Sequence, residues 1–285
     1  MSTPNFQQLR VLVLESRRAQ ELASLVTTYG GTPLVAPSMR EVPLESNTEA
    51  VACAEALERG ECDLLILLTG VGTRVLADAV QRVRGTRDSL IAALRRTRIA
   101  ARGPKPVAVL REWGVPVWLM APEPNTWREL VAAIAERATE MSLVGARVFV
   151  QEYGASNPQL LAALESRGAR VTRVPVYQWA LPEDLEPLRR AVRELADGKI
   201  DVALFTTGTQ IVHLLQVAES MHLREQIVDT LRHTVVASIG PSTSEELREQ
   251  GIAADMEPSH PKMGFLVREA AERALALRDR KGGRA

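Results

Sequence analysis

Cysteine is almost missing from this chain of 285 residues. The two that occur, Cys53 and Cys62, have no CxxC spacing and no second cluster with which to build a zinc site. No secretory leader is expected either, since residues 1–8 show no basic stretch leading into an apolar one. Both thiols are therefore expected to be reduced, in a cytoplasmic protein. Net charge is missing, because 35 Lys and Arg balance 35 Asp and Glu. That balance excludes nucleic-acid binding driven by bulk positive charge. Together with 46% hydrophobic residues it also excludes a disordered chain. Long apolar runs are missing too. The stretch from Leu64 to Leu68 falls far short of the roughly 20 residues that span a bilayer. Neither a nucleic acid nor a membrane is expected as a partner. Long coiled-coil heptads do not appear, and a monomer is expected.

The catalytic vocabulary is equally thin. The four histidines, His213, His222, His233 and His260, form neither HxxxH nor HExxH. There is no GxSxG elbow and no Walker loop. No metal, no cofactor and no covalent nucleophile are expected.

What is present is an internal repeat. Asp63-Leu-Leu-Ile-Leu-Leu-Thr69-Gly70 returns as Asp201-Val-Ala-Leu-Phe-Thr-Thr207-Gly208, 138 positions later. Gly103-Pro104 returns as Gly240-Pro241, and Arg10-Val-Leu-Val as Arg147-Val-Phe-Val, each 137 positions later. Three matches at one spacing indicate two copies of a unit of about 140 residues, split near Leu143, which agrees with a length worth about two domains. Each copy alternates short β-branched runs with amphipathic segments that stop at glycine, as at Gly30-Gly31 and Gly168. Buried apolar strands alternating with helices predict a parallel sheet covered on both faces, so each copy reads as doubly wound α/β.

In such sheets ligands bind beyond the carboxyl ends of the strands. Four pairs of segments lie there. Thr69-Gly70-Val71-Gly72 and Thr206-Thr207-Gly208 are small, hydroxyl-bearing turns that leave backbone N–H groups facing an anion. The plain alternative is a tight turn with Thr as helix N-cap. Arg102-Gly103-Pro104-Lys105 pairs with Gly240-Pro241-Ser242-Thr243. The second contains overlapping capping boxes, Ser242-x-x-Glu245 and Thr243-x-x-Glu246. Glu15-Ser16-Arg17-Arg18 pairs with Gln151-Glu152-Tyr153-Gly154, where Arg17 or Arg18 could clamp a carboxylate or simply be solvated. Lastly, Pro37 to Leu44 and Val174 to Ala180 are extended and punctuated by proline, and read as linkers rather than core strands. Within the latter, Tyr177 and Trp179 share a face. Tyr177 is either a packing residue or a proton donor.

These residues resemble uroporphyrinogen-III synthase over roughly Arg10 to Ala276. The resemblance rests on the strands running into Thr69-Gly70-Val71-Gly72 and Thr206-Thr207, on Val176-Tyr177-Gln178, and on Ser238-Ile-Gly240-Pro241-Ser-Thr243-x-x-x-Leu247-x-x-x-Gly251. Pro258-Ser-His-Pro261 before the last helix also fits. The family implies two flavodoxin-like doubly wound domains joined by a two-stranded β linker. Domain one would be residues 1–38 with 183–285, domain two 46–170, and the linker strands 38–45 and 171–182. The repeat alone would divide the chain into two contiguous halves.

The implied reaction closes hydroxymethylbilane, a linear tetrapyrrole with eight carboxylates. Water leaves the ring A hydroxymethyl group, ring D is attacked at its substituted α-carbon, and the spiro intermediate recloses with ring D inverted. Because the free substrate cyclises readily without inversion, the enzyme's task is orientation, an effect that can reach roughly 7–11 kcal/mol. Tyr177 matches the family tyrosine that assists departure of the hydroxyl. Thr206, Thr207, Ser242, Thr243 and the Thr69-Gly70 turn would hold carboxylates, with Val71, Gly208, Gly103, Lys105, Arg17, Tyr153 and Gly154 as further candidate contacts. Two departures stand out. Lys105-Pro106 replaces a hydroxyl pair, and Gly70 stands where many relatives carry Ser. Two other readings stay open: a non-catalytic two-lobed module that binds or senses a small anion, and a nicotinamide-dependent enzyme resting on the partial Gly70-x-Gly72.

Overall fold

The structure is a computed structural model, and it describes residues 4–43, 48–154 and 156–282. The chain divides into two compact units. Unit 1 is Met1–Arg40 with Ala180–Ala285, and unit 2 is Glu41–Trp179. Elements are numbered in chain order.

Unit 1 opens with β1 (Arg10–Val13), α1 (Ala19–Thr28) and β2 (Thr32–Val35). Unit 2 then contributes β3 (Arg40–Pro43), α2 (Thr48–Glu58), β4 (Leu64–Leu67), α3 (Gly70–Arg84), α4 (Asp88–Leu94), β5 (Arg98–Ala101), α5 (Pro104–Glu112) and β6 (Leu119–Met120). It continues through α6 (Trp127–Glu136), β7 (Arg147–Gly154), α7 (Pro158–Glu165) and β8 (Arg170–Ala180). The return to unit 1 adds α8 (Glu186–Ala196), β9 (Val202–Phe205), α9 (Gly208–Ser220), α10 (Arg224–Leu231), β10 (Val235–Ser238), α11 (Pro241–Glu249) and α12 (Met263–Arg280).

The sheet of unit 1 runs β2-β1-β9-β10, all parallel, and a parallel bridge from Ala237 to Met256 adds a fifth position. Numbered along unit 1, the order is 2-1-3-4-5, the flavodoxin-like arrangement. The sheet of unit 2 runs β3-β8-β7-β4-β5-β6, with parallel pairing from β8 to β6. If β7 and β8 are counted first, this order is also 2-1-3-4-5. Each sheet therefore takes its first two strands from one copy of the repeat and the rest from the other. The exchange is held at matching places. Asp63, just before β4, accepts the backbone N–H of Arg147 at 2.8 Å, and its own N–H donates to the Arg147 carbonyl at 2.9 Å. Asp201, just before β9, does the same for Arg10, at 2.8 and 3.0 Å.

Sequence explains the local elements. All four residues of β4, β9 and β10 are buried, as a strand covered on both faces requires. Helix α3 starts where Thr69 turns extended and its hydroxyl accepts the Gly72 N–H at 3.0 Å, and stops at Gly85 with φ 78°. Unit 2 packs one core around Leu65, Leu67 and Ile99 and another around Leu64, Ile66 and Ala100, one on each face of its sheet. Among the described residues no helix is long and apolar enough to cross a membrane.

One expectation needs correction. The segment from Val174 to Ala180 is not a linker set apart from a core. It continues β8, pairs with β7 as far as Gln178, and buries Val174, Val176 and Tyr177 at 1%, 3% and 4% exposure. Proline is tolerated because Pro175 falls beside the irregularity between Glu152 and Gly154, where the ladder is interrupted. The other extended segment has its described part in β3, whose neighbour in the sheet is β8.

The Arg147 guanidinium, hydrogen-bonded to Asp63, holds that carboxyl down at about 2. A depressed carboxyl stabilises the fold above its ordinary value of 3.8, and the contribution fades as pH falls towards about 2. Asp63→Asn is therefore expected to cost on the order of 1 kcal/mol at neutral pH. It should also flatten the loss of stability between pH 4 and pH 2 seen in urea unfolding of the unaltered protein. Parallel acid limbs would exclude this role for Asp63.

Candidate functional site

In the 2-1-3-4-5 order the ligand position is the switch point between the first and third strands. In unit 1 that is the carboxyl end of β1 and β9, and in unit 2 that of β7 and β4. Both places carry a glutamate from the first strand, a threonine turn from the third, and a buried amide.

In unit 1, Thr206 directly follows β9. Its hydroxyl donates to Glu15 Oε2 at 2.6 Å and accepts from Gln210 Nε2 at 2.9 Å. Its N–H donates to Gln210 Oε1 at 2.7 Å. Both donors of Thr206 are thus committed inward, and Gln210 is 1% exposed. In the first turn of α9 the Gln210 N–H donates to the Thr207 carbonyl at 3.2 Å, and the Gly208 and Thr209 amides lie outside the helical ladder. Thr207 is the extended N-cap of α9, with no side-chain cap bond. Gly208 touches α11, where an added Cβ would lie 2.7 Å from Glu246 Cβ. Burial, reinforced by Glu249 and Glu245, pushes the Glu246 carboxyl up from its ordinary value, and Gln250 opposes this.

In unit 2 the same parts are arranged differently. Gln151, 0% exposed, projects from β7 and fills the space beside Gly72, where an added Cβ would lie 2.2 Å from its Nε2. That Nε2 donates to the Glu152 carbonyl at 2.7 Å, while Oε1 is buried without a hydrogen-bond partner among the described residues. Counting by the repeat, Gly72 corresponds to Gln210 and Gln151 to Leu14. One unit draws the amide from the helix and the other from the strand. Glu152, the counterpart of Glu15, is 4% exposed and held by Arg173 at 2.9 Å and by the Ser156 hydroxyl at 2.7 Å. Gly70 lies against α5, where a Cβ would come within 2.7 Å of the Lys105 carbonyl. A serine there would push the two turns apart, which accounts for glycine at this position.

The structure places the other candidates as follows. Gly103 is the extended N-cap of α5, and Lys105 is exposed in its first turn. Val71 is exposed at 41% in the first turn of α3. Gly154 has φ 80° and is covered by the Trp179 ring, so it serves that contact rather than an open surface. Tyr153 is on β7, with its side chain outside the described residues. Arg17 is exposed, and Arg18 is engaged by Glu21. Tyr177 is buried in the core of unit 2 with its ring edge-on to Trp179, centroids 5.2 Å apart. The capping boxes expected at Ser242 and Thr243 do not form. Gly240 is the cap, Pro241 opens α11, and both hydroxyl residues fall inside its first turn, Thr243 at 4% exposure. Proline at N1 puts the cap at Gly240, two residues before one box's Ser242 and three before the other's Thr243.

Sequence reasoning passed over Glu15, Glu152, Gln151 and Gln210 as site residues. The signal was present, because the two glutamates occupy equivalent positions in the repeat.

A family profile described as uroporphyrinogen-III synthase HemD matches residues 20–268. An uncharacterized protein YjjA of Bacillus subtilis is 30% identical over 265 residues, covering 92% of this chain and 95% of its own. A putative uroporphyrinogen-III synthase of Methanothermobacter thermautotrophicus is 30% identical over 241 residues, covering 83% and 87%. Among solved structures, a mutant uroporphyrinogen III synthase of Thermus thermophilus superposes with a TM-score of 0.73 at 27% identity, covering 94% of this chain and 99% of that one.

The contact between Gly72 and Gln151 predicts non-additive energetics. Gly72→Ala must displace a buried amide in a packed core and should cost about 1–3 kcal/mol. Combined with Gln151→Ala, the cost of the Gly72 change should fall by more than half in a urea double-mutant cycle. Additive costs would show that Gln151 is not what keeps position 72 bare.

Proposed function

The chain belongs to the uroporphyrinogen-III synthase family, and from that premise we propose that it cyclises hydroxymethylbilane, with loss of water and inversion of ring D, to uroporphyrinogen III. The family is one of cyclising lyases. The observation that carries the proposal is the doubled switch point: two units of one order, each ending in a threonine turn and a helix N-terminus. A substrate with eight carboxylates needs several anion sites, and helix-start amides within each unit would offer them without bulk positive charge.

The reaction needs little more than orientation. The uncatalysed route also loses water and closes a ring, so the two outcomes differ in how the chain ends meet. Outward amides of α3 and α9 and the first turn of α11 would take side-chain carboxylates, with Thr69, Gly70, Val71, Thr207, Gly208, Ser242 and Thr243 as contacts. Thr206 acts one step back, because Glu15 and Gln210 already hold its donors. Tyr177 is the proposed proton donor for the departing hydroxyl. Its packing against Trp179 is the competing role, and substitution separates the two. We place the protein in the cytoplasm as a monomer, working without metal or cofactor for tetrapyrrole biosynthesis.

The test is to supply hydroxymethylbilane and resolve the porphyrin isomers after oxidation. The type III isomer is expected to predominate, and type I alone would defeat the proposal and favour a module that merely binds anions. Tyr177→Phe is expected to lower turnover clearly but not abolish it. Unaltered turnover would leave Tyr177 a packing residue.

A further inference from the structure

Arg102 follows β5 directly, at the carboxyl end of the unit 2 sheet. Its backbone N–H donates to the Leu67 carbonyl at 3.0 Å, which fixes the residue beside the turn that opens α3. By the alternation of the strand it shares a face with Ala100. The residue is only partly exposed, and among the described residues its guanidinium makes no hydrogen bond and no ion pair. Burial pushes it down from its ordinary value, and no neighbouring carboxylate counters the shift. A partly buried cation without a counter-charge among the described residues is a site open to an anion.

The neighbouring helix gives the position a use. Helix α5 opens Pro104-Lys105-Pro106, so two residues of its first turn have no N–H to offer. The equivalent helix in unit 1 also opens on proline, as Pro241-Ser242-Thr243-Ser244. Its Thr243 and Ser244 N–H groups donate to the Gly240 carbonyl at 3.0 Å and the Ser244 hydroxyl donates to Glu257, so what it carries that α5 lacks is the hydroxyl pair of Ser242 and Thr243. The counterpart of Arg102 in that unit is Ile239. A cation thus stands at the strand end in the unit whose helix lacks the hydroxyl pair, and an apolar residue in the unit that has it.

We propose that Arg102 is a carboxylate-binding residue of unit 2, supplying donors where Lys105 and Pro106 replace the hydroxyls of Ser242 and Thr243. A guanidinium suits this because it presents a fork to a carboxylate and cannot be neutralised at working pH. That the carboxylate is a side chain of hydroxymethylbilane rests on the function proposed above. That an anion binds here does not.

The experiment uses the full chain and uroporphyrin III, a non-reacting octacarboxylate, followed by fluorescence quenching. Binding is measured for the unaltered protein, Arg102→Met and Arg102→Lys, alongside melting temperature and steady-state kinetics with hydroxymethylbilane. Arg102→Met is expected to weaken uroporphyrin binding about tenfold or more. KM should rise in parallel with kcat little altered, and the melting temperature should stay level, since the guanidinium holds no partner among the described residues. Arg102→Lys should recover part of the affinity. Undiminished binding by Arg102→Met overturns the proposal, as does a drop of several degrees in its melting temperature with affinity retained. Failure of the unaltered protein to bind uroporphyrin III overturns it too. Type I product alone, with binding still dependent on Arg102, would instead defeat the synthase function and leave Arg102 an anion site.

Discussion

The fold depends on a carboxylate placed just before the third strand of each sheet. Asp63 and Asp201 each take the backbone N–H that opens the first strand of the same sheet, and that strand belongs to the other copy of the repeat. The geometry is the same in both places, 2.8 Å from carboxylate to amide. The side-chain support differs. Asp63 also receives the Arg147 guanidinium, at 2.7 and 3.0 Å, whereas Asp201 has Arg278 at 3.7 Å and the Arg10 side chain turns to Glu194. The backbone contact is thus common to both units, and the ion pairing around it differs. Once the first and third strands are held in register, their carboxyl ends lie side by side, and the switch point exists.

At the two switch points a single problem has two solutions. A buried amide is needed beneath the threonine turn, and it comes from α9 in unit 1 and from β7 in unit 2. The consequences differ. Gln210 saturates Thr206, which then reaches Glu15, so the unit 1 turn is braced from below. Gln151 leaves the Thr69 turn to brace itself, through the bond from Gly72 N–H to the Thr69 hydroxyl. The same divergence runs through α5 and α11, where prolines in one first turn stand opposite hydroxyls in the other. The two rims are similar in plan and differ in their donors.

Much of this was legible in the residues. Apolar runs such as Leu64–Leu67 and Val202–Phe205 could only be buried strands, and the glycine stops marked helix ends. The repeat offset placed the two threonine turns in correspondence. The exchange of strands was not legible from pattern, because β1 and β7 are alike and either could pair with β4 or β9 by composition alone. The misreading of residues 174–180 has a related cause. Proline normally signals an edge, and a ladder irregularity that accommodates it inside a sheet leaves no local trace. At the site, sequence identified residue types but not where their hydrogen bonds go. Thr206 was chosen for a hydroxyl that proves committed to Glu15, and the first turn of α11 was assigned caps that Pro241 makes unnecessary.

The central claim is that the folding unit is not the repeating unit. It is tested most directly by comparing cooperative unfolding of two fragments, 41–179 and 1–143, in urea. The first contains all six strands of one sheet. The second strands β4 without β7 and leaves β1 without β9. Fragment 41–179 should unfold in one cooperative transition, and fragment 1–143 should show none. A cooperative transition in 1–143, with 41–179 unfolded throughout, would contradict the account.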